Sequence, residues 1–503
     1  MTDAGLLLLT ILLPLFAALL IALVGRRPNL RESVTLATAV LLFAVVVALS
    51  LRFRAGPIPA ATLQEVMPGL VIALKIEPLG MMFALIASGL WIVNSIYSIG
   101  YMRANKEKNQ TRFYICFAIA IMSALGVAFA ANMFTLFVFY EILSVSTYPL
   151  VTHKETPEAR ASGRTYLGLL LGTSIGLMMI AIIWTWVATG TLDFTRGGIL
   201  DGRVSATLAP LLLALYMFGI GKAALMPVHR WLPAAMVAPT PVSALLHAVA
   251  VVKAGVFTVM KVIVYIFGVD FLAKTGAATW LMWLAAFSLL AASLVALGKD
   301  NLKARLAYST VSQLSYVTLG AALATSMGII GGSMQIAMHA MGKITLFFCA
   351  GAIYTATHKT EISQMDGLGR AMPFTYGAFL IGALSIIGLP PMGGSWSKWY
   401  LIMGAADAGQ LIVIGVLMLS SLLNVAYLLP IVGRGFFAGS DAAPAHGAVH
   451  AVGADVAAGS RLRAIKEAPL FCVLPPCLTA AGCIALFFHA DSLFRLLEPM
   501  VRP

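Results

Sequence analysis

The sequence has 503 residues, of which 60% are hydrophobic and 11% are charged, and its mean hydropathy is +0.94. Soluble domains carry about 25% charged residues, so the composition excludes a water-soluble globular protein. In a soluble protein the net charge of +13 would indicate nucleic-acid binding, but in a membrane protein its distribution among the loops reports the topology.

Apolar runs long enough to cross a bilayer recur along the whole chain. A hydrocarbon core of about 30 Å needs about 20 helical residues. Lipid offers no partner to open backbone, and the alternating pattern of a barrel is absent, so we predict an all-α polytopic membrane protein of about fourteen transmembrane helices. The predicted spans are 5–24, 33–51, 78–98, 113–131, 133–150, 165–189, 207–235, 243–267, 277–297, 306–325, 328–357, 374–402, 409–435 and 467–488.

Basic residues are unevenly divided between the two sets of loops. With fourteen spans, 20 of the 33 lysines and arginines, including Arg461 and Arg463, fall on one side, 8, including Arg502, on the other, and 5 inside spans. The positive-inside rule then predicts both termini on the outer face of a bacterial-type inner membrane. Because Asp3 stands where a signal peptide would be basic, we interpret the first run as an uncleaved span.

Residues 1–112 are predicted to form three spans without internal charge, a peripheral scaffold. The fifth span, MFTLFVFYEILSVSTYPL (133–150), has Glu141 at its middle. Burying a charge at bilayer depth costs about 3 kcal/mol or more, so an intramembrane acid is a functional hypothesis by default. We predict that Glu141 and Lys222 form one coupled site.

Lys222 lies in the seventh span, five residues before Pro227, in MFGIGKAALMP. Proline breaks or kinks a helix, and an interrupted membrane helix beside a lysine is typical of an ion site. The twelfth span, LSIIGLPPMGGSWSKWYLI, repeats the arrangement with Lys398. Because these spans are five apart, they run in opposite directions, which predicts two inverted five-helix repeats, spans 4–8 and 9–13. The predicted breaks in the twelfth span are at Pro390, Pro391, Gly393 and Gly394.

Further polar residues fall in spans eight, ten and eleven. Span eight contains His247, Lys253 and Lys261, and span eleven contains His339 and Lys343 on one helix face. A lone buried histidine is usually a packing residue, whereas one beside a buried lysine indicates a proton relay. Span ten carries a polar stripe that represents either interhelical hydrogen bonding or the edge of a hydrated funnel. This stripe consists of Ser309, Ser312, Gln313 and Tyr316.

The chain is predicted to have four segments: helices 1–3 (1–112), a first repeat (113–267), a second repeat (268–435), and a cytoplasmic loop with the last helix (436–503). No dinucleotide fingerprint or metal-type spacing occurs. We therefore expect no metal, no cofactor and no redox or hydrolytic site in this chain. The five cysteines are interpreted as packing thiols.

From about residue 113 to 400 the sequence resembles the proton-translocating antiporter-like family. This family comprises the large antiporter-like subunits of respiratory complex I and the A-type and D-type subunits of Mrp Na+/H+ antiporters. The resemblance rests on FVFYEIL, GKAALMPVHRWLPAAMVAPTPVSALLHAVAVVKAG, DNLKARLAYSTVSQLSY, HAMGKITLFF and GLPPMGGSWSKW. It implies fourteen helices with a broken helix in each inverted repeat.

The resemblance also implies roles for individual residues. The implied proton path runs from the fifth-helix glutamate through the seventh-helix lysine, the eighth-helix basic residue and a central relay to a terminal lysine, where the ion meets the outside or the next subunit. These residues are, in order, Glu141, Lys222, Lys253, His339 with Lys343, and Lys398.

The implied function is proton, or monovalent cation/proton, translocation by one subunit in a multisubunit membrane complex. The lysine at position 398 favours the D-type Mrp subunit. The HAVAVVKAG stretch is closer to the A-type Mrp subunit or to membrane hydrogenase subunits, and a complex I subunit is a further alternative. The expected partners are other membrane subunits, the lipid bilayer, and H+ with or without Na+. A stand-alone secondary transporter of an organic solute is the alternative from another class.

Overall fold

The computed structural model describes residues 2–438 and 465–501, and most of them are helical. Within these ranges, eleven helices are long and apolar enough to cross a membrane. The chain is an integral, multi-pass membrane protein. Arg461, Arg463 and Arg502, which entered the predicted topology, lie outside the described residues, as does most of the predicted loop after residue 436.

The long helices follow the predicted order. They are α1 (Asp3–Leu23), α2 (Pro28–Ala55), α3 (Pro78–Ala104), α4 (Gln110–Ala128), α5 (Met133–Val151), α6 (Pro157–Thr189), α7 (Ala209–Gly219), α8 (Thr240–Phe267), α9 (Thr279–Leu297), α10 (Leu302–Ala322), α11 (Ser326–Thr357), α12 (Pro373–Ile387), α13 (Gly394–Asp407), α14 (Leu411–Phe437), α15 (Leu470–Phe488) and α16 (Ala490–Leu497).

Short polar side chains fix where several helices begin. The N-cap residue of each accepts a hydrogen bond from the backbone N–H three positions later, which satisfies one of the free donors of the first turn. Asn132 caps α5 (2.8 Å), Thr156 caps α6 (3.2 Å) and Asn301 caps α10 (3.1 Å). These caps define the N-terminal ends of α5, α6 and α10.

One small sheet departs from the all-α prediction. Strands β1 (Ala61–Met67) and β2 (Leu70–Leu74) form an antiparallel hairpin between α2 and α3. Gly69, at the turn, has a φ of 83°, a conformation that glycine adopts without strain. A hairpin can form here because these residues lie between spans, where water can satisfy the strand edges.

Two predicted spans are interrupted helices. α7 ends at Gly219, and a short turn, Gly221–Ala223, follows before several brief helical turns lead to residue 237. The chain therefore leaves the helix before Lys222, not at Pro227 as the sequence indicated. In the second interrupted span, α12 ends at Ile387 and α13 begins at Gly394.

Two helices lie entirely inside the bundle. Every residue in the most apolar 18-residue window of α8 is buried, and 94% are buried in that of α11. α11 packs against α3, α8, α10, α12, α13 and α15. In α1, α2, α6, α14 and α15 the corresponding share is 39% or less, so these helices turn apolar side chains outward. The central pair carries three buried lysines and two buried histidines, namely Lys253, Lys261, Lys343, His247 and His339.

Candidate functional site

Lys222 lies fully buried in the interruption after α7. Its Nζ donates to the Tyr140 carbonyl (2.7 Å) and to Ser144 Oγ (2.6 Å), both on α5, and lies 3.1 Å from the centroid of the Tyr140 ring. The interruption frees backbone groups that need partners. The Lys222 amide donates to the Tyr140 hydroxyl (3.1 Å), and Trp231 donates to the Gly221 carbonyl (2.9 Å). The unwound segment is thus held by α5 and by its own tryptophan.

Glu141 follows Tyr140 on α5, but it does not pair directly with Lys222. Among the described residues, neither carboxylate oxygen has a hydrogen-bond partner, and no basic nitrogen lies within 4.0 Å of them. Both oxygens are nevertheless buried. Any coupling between the two side chains therefore acts through α5 and through space, and the coupled site remains a prediction.

Lys253 and the two histidines meet between α8 and α11. Lys253 Nζ hydrogen-bonds with His339 Nδ1, whose other ring nitrogen has no partner among the described residues. Both ring nitrogens of His247 also lack a partner there, and its ring packs 4.6 Å from that of Phe347. Buried polar atoms without a partner are uncommon and mark either a water site or a functional group.

Lys343, one turn after His339 on α11, binds the start of α10. Its Nζ donates to Ser309 Oγ (2.6 Å) and to the Leu306 carbonyl (3.3 Å). Ser309 Oγ in turn lies 2.8 Å from the Tyr427 hydroxyl of α14. Ser309 of the polar stripe on α10 therefore links Lys343 of α11 to Tyr427 of α14 by hydrogen bonds between helices.

The rest of that stripe leads towards the second interrupted helix. Gln335 Nε2 donates to Gln313 Oε1 (2.7 Å), and Ser397 Oγ donates to Gln335 Oε1 (2.5 Å). Ser312 bonds sideways to Ser293 of α9 (2.9 Å). The side chain next to Ser397 is Lys398, so hydrogen-bonded residues lead from α10 to the neighbour of that lysine.

Lys398 spans the second interruption. Its Nζ donates to the Ile387 carbonyl, the last of α12, at 2.8 Å and to Ser421 Oγ at 3.0 Å, and it lies 4.8 Å from the Tyr316 ring centroid. Gly388 makes room for this contact, because a Cβ there would lie 2.7 Å from the lysine Cδ. The lysine thus caps the end of the broken helix.

Three of the four central lysines share one kind of environment. Lys222, Lys343 and Lys398 each donate to one backbone carbonyl and one serine hydroxyl. In the described part of the chain, neither they nor Lys253 have a carboxylate within 4.0 Å. Buried amines with neutral acceptors can take up and release a proton without breaking an ion pair.

Lys261, at the other end of α8, differs from this pattern. It forms a buried ion pair with Glu77, the residue before α3. Glu77 is not recognisable from the sequence, because it precedes the third span and its partner is 184 residues away. Tyr140 and Ser144 were not predicted either. Their one signal was their spacing, since they lie four residues apart on either side of Glu141 and so share a helix face.

The fold and these side chains define a class: polytopic helical membrane proteins with amines and imidazoles buried along the middle of the bundle. Residues 130–424 match the family described as NADH:quinone oxidoreductase/Mrp antiporter, TM. The chain belongs to this family.

Named relatives come from several complexes. The chain is 30% identical to NADH-quinone oxidoreductase subunit N of Desulforudis audaxviator over 87% of both chains. It is 33% identical to hydrogenase-4 component B of Escherichia coli over 65% of this chain and 50% of the relative. The chain thus spans about half the length of the second relative.

Solved structures share the fold. A chain in the Mrp complex from Dietzia sp. DQ12-45-1b superposes with a TM-score of 0.84 at 22% identity, covering 99% of this chain and 97% of that one. A chain of the archaeal membrane-bound sulfane sulfur reductase gives 0.84 at 23% identity, covering 98% and 97%.

Proposed function

We propose that this chain is a proton, or monovalent cation/proton, translocating subunit of a multisubunit membrane complex. The observation that carries the proposal is the set of buried lysines held by carbonyls and hydroxyls, without carboxylate partners among the described residues. A permanently charged lysine would need an anion to offset the loss of hydration. A lysine held only by neutral acceptors can lose its proton without leaving a carboxylate unpaired, and this is the environment described above.

The proposed route passes from α5 to the first interrupted span, then through α8 and α11 to the second interrupted span. Between the last two lysines, protons would cross the hydrogen-bonded residues of α10, α11 and α13. His247, with both ring nitrogens unpartnered among the described residues, is an auxiliary carrier in this proposal. The route runs through Glu141, Lys222, Lys253, His339, Lys343 and Lys398.

We propose fourteen spans arranged as two inverted repeats, residues 113–267 and 268–435, after a scaffold of three helices and before the segment 436–503. α7 with the turns after it counts as one span, and α12 with α13 as another. A matching pair of contacts supports the repeat: Tyr140 of span five lies against Lys222 of span seven, and Tyr316 of span ten lies against Lys398 of span twelve.

Two host complexes fit these observations. An Mrp-type cation/H+ antiporter, with this chain as its D-like subunit, is supported by the likeness to the Mrp structure and by the lysine at 398. A complex I or hydrogenase-type complex is supported equally by the 30% identity to the NADH-quinone oxidoreductase relative over 87% of both chains. We propose a bacterial-type inner membrane as the location.

The host complex is identified by its other subunits. Tagged chain purified from its own cells in a mild detergent should bring them along for mass spectrometry. Iron–sulfur, NADH-binding or hydrogenase subunits would favour a complex I or hydrogenase-type complex. Small, wholly hydrophobic subunits without redox centres would favour an Mrp-type antiporter. A chain that purifies alone and transports a solute would overturn both and leave the secondary transporter.

The translocating role is tested at Lys222. In vesicles that contain the intact complex, Lys222→Met should lower proton movement, read with a pH-sensitive dye, by about tenfold or more, because the amine can no longer carry a proton. Lys274→Met, which removes an exposed lysine, is the matched control and should transport normally. Wild-type rates in the correctly assembled Lys222 variant would show that the site does not carry the ion.

A further inference from the structure

A charged cavity of about 860 Å³ opens beside the C-terminal end of α8, which is the outer end in the topology predicted from the loop charges. Distant parts of the chain line it, from the end of α2, the segment before α3, the loop after α6, the end of α8, and α16. Its lining includes Arg54, Lys75, Glu77, Arg196, Tyr265 and Arg495. A cavity of this size holds many water molecules.

Glu77 forms part of the cavity wall and also reaches inward. It is only 7% exposed, and its carboxylate pairs with Lys261, which is 1% exposed. The second carboxylate oxygen lies 3.7 Å from Lys75 Nζ, whose side chain is 46% exposed. Lys261 itself does not line the cavity. The carboxylate therefore stands between a hydrated space and a buried amine.

Lys261 is enclosed on its other sides by aromatic rings. Its Nζ lies 3.8 Å from the ring centroid of Phe194 and 4.6 Å from that of Tyr265, and both residues line the cavity. These rings and Glu77 cover the amine from the cavity. Of these groups the carboxylate is the one that can accept a proton from the ammonium.

The same helix leads from this pair to the central site. Lys253 lies eight residues before Lys261 on α8, a rise of about 12 Å. Lys253 is hydrogen-bonded to His339. A short chain of water molecules would bridge a distance of this length, so α8 places a basic side chain at each end of one proposed transfer step.

The charges around the cavity indicate which species crosses it. Four basic side chains, Arg54, Lys75, Arg196 and Arg495, face two acids, Glu77 and Asp491. Asp491 is paired with Arg495 at 2.9 Å, and Glu77 is occupied by Lys261. A metal cation prefers several free oxygen ligands, and the two carboxylates here are already paired. The cavity therefore suits transfer of a proton through water better than passage of Na+.

We propose that this cavity is a proton port on the outer face, and that Glu77 and Lys261 are the transfer pair between its water and Lys253. The inference rests on the proposed function and gives the first repeat an access of its own, in addition to the one predicted at Lys398. In the step, the Lys261 ammonium loses a proton to the Glu77 carboxylate, and the resulting neutral acid releases it to the cavity. The free amine then takes the next proton from the Lys253 side.

A double variant separates this role from a purely structural ion pair. Removing one partner would leave a buried charge unpaired, whereas Glu77→Gln with Lys261→Gln removes both charges together. In vesicles with the assembled complex, we expect the double variant to transport protons at least tenfold more slowly than wild type. Glu65→Gln, at an exposed acid on the nearby hairpin, is the control and should keep the wild-type rate.

A second measurement covers the case in which the double variant does not assemble. Thr195 lines the cavity and is exposed, so Thr195→Cys should react from outside with an impermeant, positively charged thiol reagent. Reaction should slow transport severalfold, because it adds a cation to the cavity that Glu77 lines, whereas reaction of Thr62→Cys on the hairpin should not. Complete labelling of the Thr195 variant with unchanged transport would overturn the port, as would a wild-type rate in the double variant.

The failure of this inference is distinguishable from failure of the proposed function. If Lys222→Met stops transport while the port variants do not, the chain translocates protons by another outer access. If the wild-type complex moves no ion, the proposed function is wrong, and the proposed port is wrong as well.

Discussion

At the scale of single residues, the choice of acceptor separates two kinds of buried lysine. A carboxylate holds an ammonium strongly, through a charge-assisted hydrogen bond, and removing one partner is costly. A carbonyl and a hydroxyl hold it more weakly. Lys261 has the first environment, and Lys222, Lys343 and Lys398 have the second. A lysine in the second environment can release its proton without leaving an unpaired carboxylate, whereas at Lys261 the proposed release is to the carboxylate itself.

His153 gives a pH prediction outside the spans. It lies 3% exposed in the turn after α5, and burial, followed by the charge of Arg112, lowers its pKa to about 4. The ring is therefore neutral at pH 7, and its 3.8 Å contact with Glu107 is not an ion pair. Because the folded pKa is below the unfolded value of about 6.5, its contribution to stability is constant above pH 6.5 and falls by up to about 3 kcal/mol towards pH 4.

This prediction is measured as the thermal denaturation midpoint of the detergent-solubilised complex at pH 7.5 and pH 5. His153→Gln keeps a polar side chain but cannot take up the proton. The variant should lose fewer degrees than wild type between the two pH values. An equal loss in both proteins would mean that His153 does not contribute to acid sensitivity.

At the scale of elements, close packing against a glycine fixes the first helix interruption. α8 contacts the turn Gly221–Ala223 directly. A Cβ on Gly255 of α8 would lie 2.3 Å from the carbonyl carbon of Lys222 and 2.4 Å from the Ala223 amide nitrogen. These are backbone atoms, which cannot rotate out of the way. The glycine therefore sets the depth at which Lys222 sits between α5 and α8.

Gly255→Ala should push this turn away from α8 and lower proton transport about tenfold, because a displacement of about 1 Å at a transfer site can cost that much. Gly377→Ala on α12 is the matched control, since no atom lies within 4 Å of its added Cβ, and it should transport normally. Both rates are read in the vesicle assay. Equal rates in the two variants would show that the turn can shift without consequence.

The elements also show what the sequence could predict. Prolines and glycines beside Lys222 and Lys398 predicted two interrupted spans, because proline breaks a helix and glycine destabilises one. Apolar runs located the long helices but missed their polar ends: the sixth span was predicted from residue 165, whereas α6 begins at Pro157, after the Thr156 cap. A hydropathy window does not detect an amphipathic first turn.

Partners could not be predicted from the sequence, because they depend on tertiary packing. Tyr140 and Ser144 meet a lysine about 80 residues away, and Glu77 meets one 184 residues away. A local sequence pattern contains no information about contacts between residues so far apart in the chain. The sequence predicts the break at Pro227, whereas α7 ends at Gly219, which packs against the backbone of Met178 in α6.

At the scale of the whole molecule, the start of the first described helix and the last described helix lie on the same face. Asp3, at the start of α1, pairs with Arg52 near the end of α2. Arg54, two residues later, lines the same cavity as Asp491 and Arg495 of α16. This arrangement supports the predicted even number of crossings between the start of α1 and α16. That this face is the outer one is a prediction from the charges of the loops.

Cysteine labelling in intact cells tests this topology. Asp3→Cys and Ser492→Cys should both react with an impermeant maleimide, while Lys108→Cys and Lys359→Cys should react only after permeabilisation. The positive-inside rule gives the direction. If the first pair reacted only after permeabilisation, the protein would have the opposite orientation in the membrane. Labelling of one member alone would contradict an even number of crossings.

The enclosure of α8 and α11 has a consequence for how the chain enters the membrane. An isolated helix at the bilayer centre costs about 3 kcal/mol for each lysine, and α8 carries two lysines and a histidine without a lipid-facing side. Neither α8 nor α11 is expected to be stable as an isolated transmembrane helix during synthesis. Their stable insertion requires α3, α5 and α10 to be close by, so biogenesis of this protein must retain early spans beside the insertion machinery until the later ones arrive.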